Sequence, residues 1–360
     1  MVTVTDAYLN FLSVAVPEHD VHGTFVRFAE RALRDRTSRL LFERMVSRSE
    51  IRQRWSCLAP APHGSNESVD AEGFYTLGRF PSTATRMQRY EKDAPALAAE
   101  AVDRLGLGKD SKKITHLIVA SCTGFSAPGV DFEVMRRCNL QPSVERTMLG
   151  FMGCNAAINA LKLARHIVRS EPAAKVLVVC IELCTLHLQE SEDIEKLLTF
   201  LLFADGCAAG LVTSEPTGFA LDSFHAEVVS DAAEHITWTI RDSGFDMLLS
   251  GQVPPTIAAA LREGSDRVLS GARPEDIDLW AVHPGGRTVL DAVENAFELD
   301  SSALAASHAI LRDYGNMSSP TVLFVLEAKM RQRVPPGTRG CAMAFGPGMT
   351  AETMLFRAAA

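Results

Sequence analysis

The sequence predicts a layered α/β fold with largely buried sheets, and three observations carry that expectation. Five short apolar runs, ITHLIVA (114–120), KVLVVCIEL (175–183), GCAAGLVT (206–213), DLWAVH (278–283) and GCAMAF (340–345), have the length and content of strands covered on both faces. Helical patterns lie between most of them, the alternation that builds sheets layered with helices. The two halves of the chain also repeat one pattern.

Taken from the N-terminus, MVTVTDAYLNFL lacks a charged leader with a cleavage site, and no apolar run approaches the ~20 residues of a membrane span. Both point to a cytoplasmic protein without a membrane partner. The segment ERMVSRSEIRQRW gathers Arg44, Arg48, Arg52 and Arg54, which either meet an anionic ligand or form a solvated helix face. Over all 360 residues the net charge is -8, with 47% hydrophobic and 22% charged residues, so the chain has ample core material and no nucleic-acid footprint. That length predicts about two domains or one duplicated one. Eight scattered cysteines read as free thiols.

ITHLIVAS (114–121) matches DIDLWAVH (276–283) in pattern, and each is followed by a glycine-containing loop and then by glycine, a polar residue and a helix. That pair is Gly153-Cys154 in one half and Gly315-Asn316 in the other. The spacing is 33 positions in both, from Ser121 to Cys154 and from His283 to Asn316. Either this is coincidence or the chain is an internal duplication. Under duplication the halves are 1–214 and 215–360, with the seam at the turn cluster SEPTG (214–218).

In GFMGCNAAINALKLARHIV (150–168), Ala157, Ala160, Leu161, Ala164 and Val168 share one side and Asn155, Asn159, Lys162, Arg165 and His166 the other, predicting an amphipathic helix with Cys154 in its first turn. A helix start favours a thiolate and offers N–H groups to an oxyanion; a small buried residue packed there is the plainer alternative. His283 leaves its strand just before Pro284-Gly285-Gly286, and Asn316 precedes the helix running through Thr321 to Lys329. Singly, these are a satisfied buried histidine and an N-cap. Jointly, at repeated positions, Cys154, His283 and Asn316 form a set suited to acyl transfer through a thioester.

Cys180, Cys184 and His187 have metal-like spacing but adjoin an apolar strand and lack a fourth ligand. Gly346-Pro347-Gly348 follows a strand without a P-loop lysine, so these glycines read as letting backbone approach a pocket rather than as a nucleotide loop.

GFMGCNAAINALKLA, WAVHPGGRTVLDAVE, DYGNMSSPTVLFVLE and AFGPGMTAET, together with RSEIRQRW and ITHLIVASCTGFSAPGVD, resemble the type III polyketide synthases, the chalcone and stilbene synthase-like enzymes of the thiolase-fold superfamily. The resemblance covers nearly the whole chain. It implies a five-layered αβαβα fold of two similar halves, a homodimer, and no metal or organic cofactor beyond coenzyme A thioester substrates. A starter acyl group would pass from an acyl-CoA, or in some members from acyl carrier protein, to Cys154. His283 and Asn316 would stabilise the enolate formed from malonyl-CoA, and His283 would hold Cys154 as a thiolate in an ion pair. Repeated extension and cyclisation would follow in the same cavity, giving a pyrone, resorcinol or related product.

Further residues carry over from the resemblance one by one. Phe203 in LLFADG matches a phenylalanine at the junction of CoA tunnel and cavity, and Met247 falls where a second is expected, implying a softer gate. Cys122, Ala127, Cys184 and Ser318 align with cavity-lining positions, Cys184 either reacting or packing. Trp238 replaces a glycine of plant chalcone synthases, which points away from a chalcone-type cavity and toward bacterial members using fatty acyl starters. Arg52 and Arg54 match a segment that meets CoA phosphates. The nearest rival is a single-condensation ketoacyl synthase of fatty-acid synthesis; a cysteine hydrolase or a non-catalytic scaffold lies further off.

Overall fold

The computed structural model describes residues 5–359 apart from Asn66 and Ser230. Residues 1–4, part of the N-terminal segment read for a leader, thus lie outside the described residues. In chain order the strands are β1 (Tyr8–Ala15), β2 (His19–Asp20), β3 (Trp55–Ser56), β4 (His116–Ser121), β5 (Glu145–Gly150), β6 (Val176–Leu183), β7 (Asp205–Thr213), β8 (Phe219–Val228), β9 (Ile236–Arg241), β10 (Gly244–Leu249), β11 (Leu279–Val282), β12 (Arg339–Gly346) and β13 (Thr350–Ala358). The helices are α1 (His22–Ala32), α2 (Arg36–Ser49), α3 (Thr83–Asp103), α4 (Val130–Arg137), α5 (Ala156–Ser170), α6 (Ile194–Leu202), α7 (Val253–Val268), α8 (Arg287–Phe297), α9 (Ala305–Tyr314) and α10 (Thr321–Met330).

Nine strands form one sheet in the order β11-β12-β13-β8-β1-β7-β6-β4-β5. Its two sides mirror each other. β4 pairs with β6 in parallel, β6 with β7 and β7 with β1 antiparallel. On the other side β11 pairs with β12 in parallel, β12 with β13 and β13 with β8 antiparallel. Among the described residues two pairs, Tyr8 with Ala220 and Leu9 with Phe219, join the two sides across β1 and β8.

Three cores divide the molecule into the five expected layers. The central one packs α5 and α10 between the two sides, bringing Ile158 and Leu161 of α5 and Leu323 and Phe324 of α10 against Ile118, Val178, Ala281 and Ala342 of the strands. The opposite faces of the same strands, Val119, Val179, Trp280 and Met343 among them, pack outward on α3 and α4 on one side and on α7 and α8 on the other. Covering on both faces is why these strands read as unbroken apolar runs. The sequence TVLFVLE of α10 has no polar face and is buried all round, as a central helix must be. α5 keeps its apolar stripe on that core, with Ala157, Ala160, Leu161, Ala164 and Val168 all fully buried.

Candidate active site

Cys154 sits in a single 3-10 turn, Gly153–Asn155, and α5 begins only at Ala156, so the thiol stands just ahead of the helix rather than inside its first turn. Gly153 has φ +74°, and a Cβ there would run into the ring of Pro347 in the loop after β12. Gly315, ahead of Asn316, has nearly the same φ of +71°. The two glycines therefore shape the approach to the two residues in the same way. Their surroundings differ: Asn316 lies five residues before α10 in an extended link whose backbone pairs with that of Phe203, Asn316 N–H donating to Leu202 O at 2.8 Å and Ala204 N–H to Asn316 O at 2.9 Å.

His283 follows β11 directly, its N–H donating to Met343 O at 2.7 Å. Its ring is 1% exposed, and neither ring nitrogen has a hydrogen-bond partner among the described residues. A buried imidazole left unpaired costs desolvation without return unless a ligand supplies the partner. Asn316 is oriented from both ends of its amide: Oδ1 accepts from Ser318 N–H at 2.8 Å, and Nδ2 donates to Gly285 O at 3.2 Å. The same amide also acts as a hydrogen-bonding partner of the Cys154 sulfur. Ser318 holds a left-handed φ of +59° and accepts a hydrogen bond from Cys154 Sγ at 3.7 Å. Such a conformation in a non-glycine residue costs about 1–2 kcal/mol and gathers at functional sites.

Cys154, His283, Asn316, Phe203 and Met247 line one cavity, whose remaining wall is mainly aliphatic, from Ile236, Leu249, Val253, Ile257 and Val289. Phe203 is shared with a second chamber that Cys184 also borders. Burial dominates the electrostatics here. It pushes the Cys154 thiol up to about 12 and the His283 imidazole down to about 3, against the hydrogen bonds from Ser318 and Asn316 that favour the thiolate. Cys154 bonds Ser318 with no hydrogen bond to His283 among the described residues, and the burial of both groups works against the ion pair that the resemblance implies.

Other anticipated residues stand elsewhere. Cys122 is buried and accepts from Gly153 N–H through Sγ at 3.1 Å. Trp238 on β9 is behind the cavity wall, its Nε1–H donating to Cys122 O at 2.7 Å and its ring meeting His187 edge-on. Gly346 comes so close to Asn155 that a Cβ would lie 2.6 Å from the amide nitrogen, whereas Gly348 faces open space and serves the turn through its φ of +74°. Ala127 is exposed in a surface groove with Tyr90, Pro95 and Glu133, because the chain after β4 has already left the sheet for α4.

The basic segment divides. Arg52 is exposed. Arg54 is 2% exposed and cannot reach a phosphate in solvent: Asp20 and Val21 bond its backbone and turn the side chain inward, where it meets protein carbonyls. Arg44 and Arg48, one turn apart on α2, are exposed as well.

Two buried groups went unassigned in the sequence. Glu182 interrupts the apolar run of β6 and accepts from Ser319 Oγ at 2.7 Å, Thr123 Oγ1 at 2.8 Å and Cys122 N–H at 2.9 Å; burial still pushes its carboxyl up to about 7. A charge inside a buried strand was the available signal. His187, weighed only for metal, stacks on Phe245 at 4.1 Å, accepts from Phe245 N–H at Nδ1 and so donates from Nε2 to Thr123 O at 2.7 Å. Among the described residues no helix is long and apolar enough to cross a membrane.

Residues 7–216 match the profile of the chalcone and stilbene synthase N-terminal domain, and residues 220–360 that of the C-terminal domain. The chain is 33% identical to the "alpha-pyrone synthesis polyketide synthase-like Pks18" of Mycobacterium tuberculosis, over 98% of this chain and 91% of that protein. It is 33% identical to bisdemethoxycurcumin synthase of Oryza sativa, over 91% of this chain and 84% of that one. The crystal structure of PKS-I from the brown alga Ectocarpus siliculosus superposes with a TM-score of 0.88 at 29% identity, covering 99% of both chains. A cavity holding cysteine, histidine and asparagine inside a five-layered frame, and profile matches across both halves, place this chain in the chalcone and stilbene synthase family: it is a type III polyketide synthase, and not a single-condensation ketoacyl synthase.

Proposed function

We propose that this polyketide synthase loads a starter acyl group on Cys154 and uses His283 and Asn316 to drive decarboxylative extension. The observation that carries the reading is the convergence of these three residues on one mainly aliphatic cavity, with both His283 nitrogens unclaimed among the described residues. Cys154 Sγ attacks the acyl-CoA carbonyl as the neutral His283 takes the thiol proton, and the CoA thiolate leaves with that proton. Malonyl-CoA then loses carbon dioxide: its C–C bond breaks, and the electron pair becomes an enolate whose oxygen meets the His283 N–H and the Asn316 Nδ2–H. The enolate carbon attacks the Cys154 thioester, a C–C bond forms, and the Cys154 thiolate departs to be acylated again.

The aliphatic wall, the chamber beyond Phe203 and the likeness to a protein named for α-pyrone synthesis favour an apolar acyl starter and a pyrone or resorcinol product. Arg44 and Arg48 would meet the phosphates of CoA or of a carrier-protein arm. No cofactor beyond the CoA thioesters enters this chemistry. The unpaired edge of β5, with exposed Phe132, Met148 and Met152 around it, suits a homodimer, and the mirrored strand order supports duplicated halves at 1–214 and 215–360. A cytoplasmic site of action suits a consumer of CoA esters. The deciding experiment is mass spectrometry of products from malonyl-CoA with a panel of short to long acyl-CoA starters, with Cys154→Ala as control. Products extended by two or more acetate units, absent in the control, support the reading; a single-condensation product, or extension by Cys154→Ala, overturns it.

A further inference from the structure

Arg54 ties together two groups that the catalytic cavity needs. Its Nη1 donates to Phe200 O at 2.8 Å and to Phe203 O at 2.7 Å, closing the C-terminal end of α6, where free carbonyls and the helix dipole favour a cation. Its Nε donates to His22 Nδ1 at 3.1 Å, and the guanidinium lies 4.6 Å above the centre of the Phe25 ring. The aliphatic stem does a second job. It runs against Gly315, where a Cβ would fall 2.9 Å from Arg54 Cγ and 2.9 Å from Leu202 O.

One side chain thereby braces both strands of the short bridge formed by Leu202, Phe203 and Ala204 with Asn316. Phe203 is the partition between the catalytic cavity and the second chamber, and Asn316 carries the amide aimed at the reacting oxygen. Arg54 also lines that chamber, and its Nη2 is buried without a hydrogen-bond partner among the described residues. No carboxylate within ion-pairing distance neutralises it among the described residues. A buried cation held by two carbonyls, an imidazole nitrogen and a ring face, with one N–H spare, is expensive as scaffolding. A neutral residue would pack there at less cost.

We propose that Arg54 is a positioning residue that sets the Phe203 partition and the Asn316 amide at once, coupling chain-length selection to decarboxylation. The proposal rests on the reading of Asn316 given above. Lysine keeps the charge but has no second nitrogen to hold His22 Nδ1 while it bonds the carbonyls; alanine removes the brace and leaves a space continuous with the chamber, into which an alkylguanidine can diffuse.

The test compares wild type, Arg54→Lys, Arg54→Ala and, as reference, Asn316→Ala, each checked for folding by circular dichroism. Malonyl-CoA decarboxylation and the chain-length distribution of products are both measured. The expected result is that kcat for decarboxylation falls about tenfold in Arg54→Lys and on the order of 10²-fold in Arg54→Ala, as for a displaced catalytic group, with KM for malonyl-CoA little changed. The product distribution shifts in the same variants, and millimolar ethylguanidine restores part of both in Arg54→Ala. A folded Arg54→Ala with wild-type kcat and wild-type products overturns the proposal, as does a fall in kcat with products unshifted. Should Arg54→Ala not fold, the Arg54→Lys result decides by the same two readouts. Full decarboxylation by Asn316→Ala would instead overturn the role given to Asn316, so the two failures are distinguishable.

Discussion

Gly153 and Pro347, residues nearly two hundred positions apart, press together so closely that the glycine has no room for a side chain. The contact holds the loop after β12 over the turn that presents Cys154. Gly153→Ala adds a Cβ against the ring and places alanine at φ +74°, together costing on the order of 3 kcal/mol. The expected outcome is a lower Tm and loss of carbon dioxide release from malonyl-CoA. Retention of both would show that the loop gives way.

The resting state of the nucleophile is open to a chemical probe. With Cys154 raised by burial to about 12 and His283 lowered to about 3, the thiolate fraction climbs about tenfold for each pH unit through the neutral range. Iodoacetamide inactivation, followed from pH 6 to 9 with Cys154 alkylation scored by peptide mass, should therefore accelerate steadily. A plateau across that window would mean the thiolate–imidazolium pair already exists in the free enzyme.

Glu182 predicts a pH dependence of stability. Its carboxyl is raised in the folded protein to about 7 from an ordinary 4.5, so between those values the unfolded chain gives up a proton that the native state keeps. The favourable contribution is complete below about pH 4.5 and is lost as pH rises through about 7, on the order of 3 kcal/mol in all. Denaturation midpoints of the wild type should fall from pH 5 to pH 7.5. Glu182→Gln, which mimics the protonated side chain, should flatten that slope; an equally steep slope in the variant would assign it to another group.

Arg44 and Arg48 offer an electrostatic test. Replacing both by glutamate should raise KM for CoA thioesters about tenfold at low salt, with kcat retained, and the effect should shrink as ionic strength rises. Unchanged KM for malonyl-CoA at low salt would move the phosphate contact away from α2.

The strands of both halves and the buried face of α5 were legible because burial on two faces leaves unbroken apolar runs, and burial on one leaves a helical stripe. The equal spacing of Cys154 and Asn316 behind their strands was legible too, as an interval that recurs in both halves of the chain. Arg54 was not: ERMVSRSEIRQRW shows four like charges, and only the pairing of β2 with β3 and the bond to Asp20 turn one of them inward. The exposure of Ala127 was not legible either, because alignment fixes order along the chain and not where a loop emerges.

By itself, then, the sequence determined the layering, the family and the identity of the cysteine, histidine and asparagine, all of which follow from local pattern and spacing. Only the tertiary structure decided that Cys154 pairs with Ser318 in place of His283, that Phe203 divides two chambers, and that Glu182 and Arg54 are buried beside them. These are matters of distance and desolvation between residues remote in sequence, and neither exists until the two sides of the sheet close on α5 and α10.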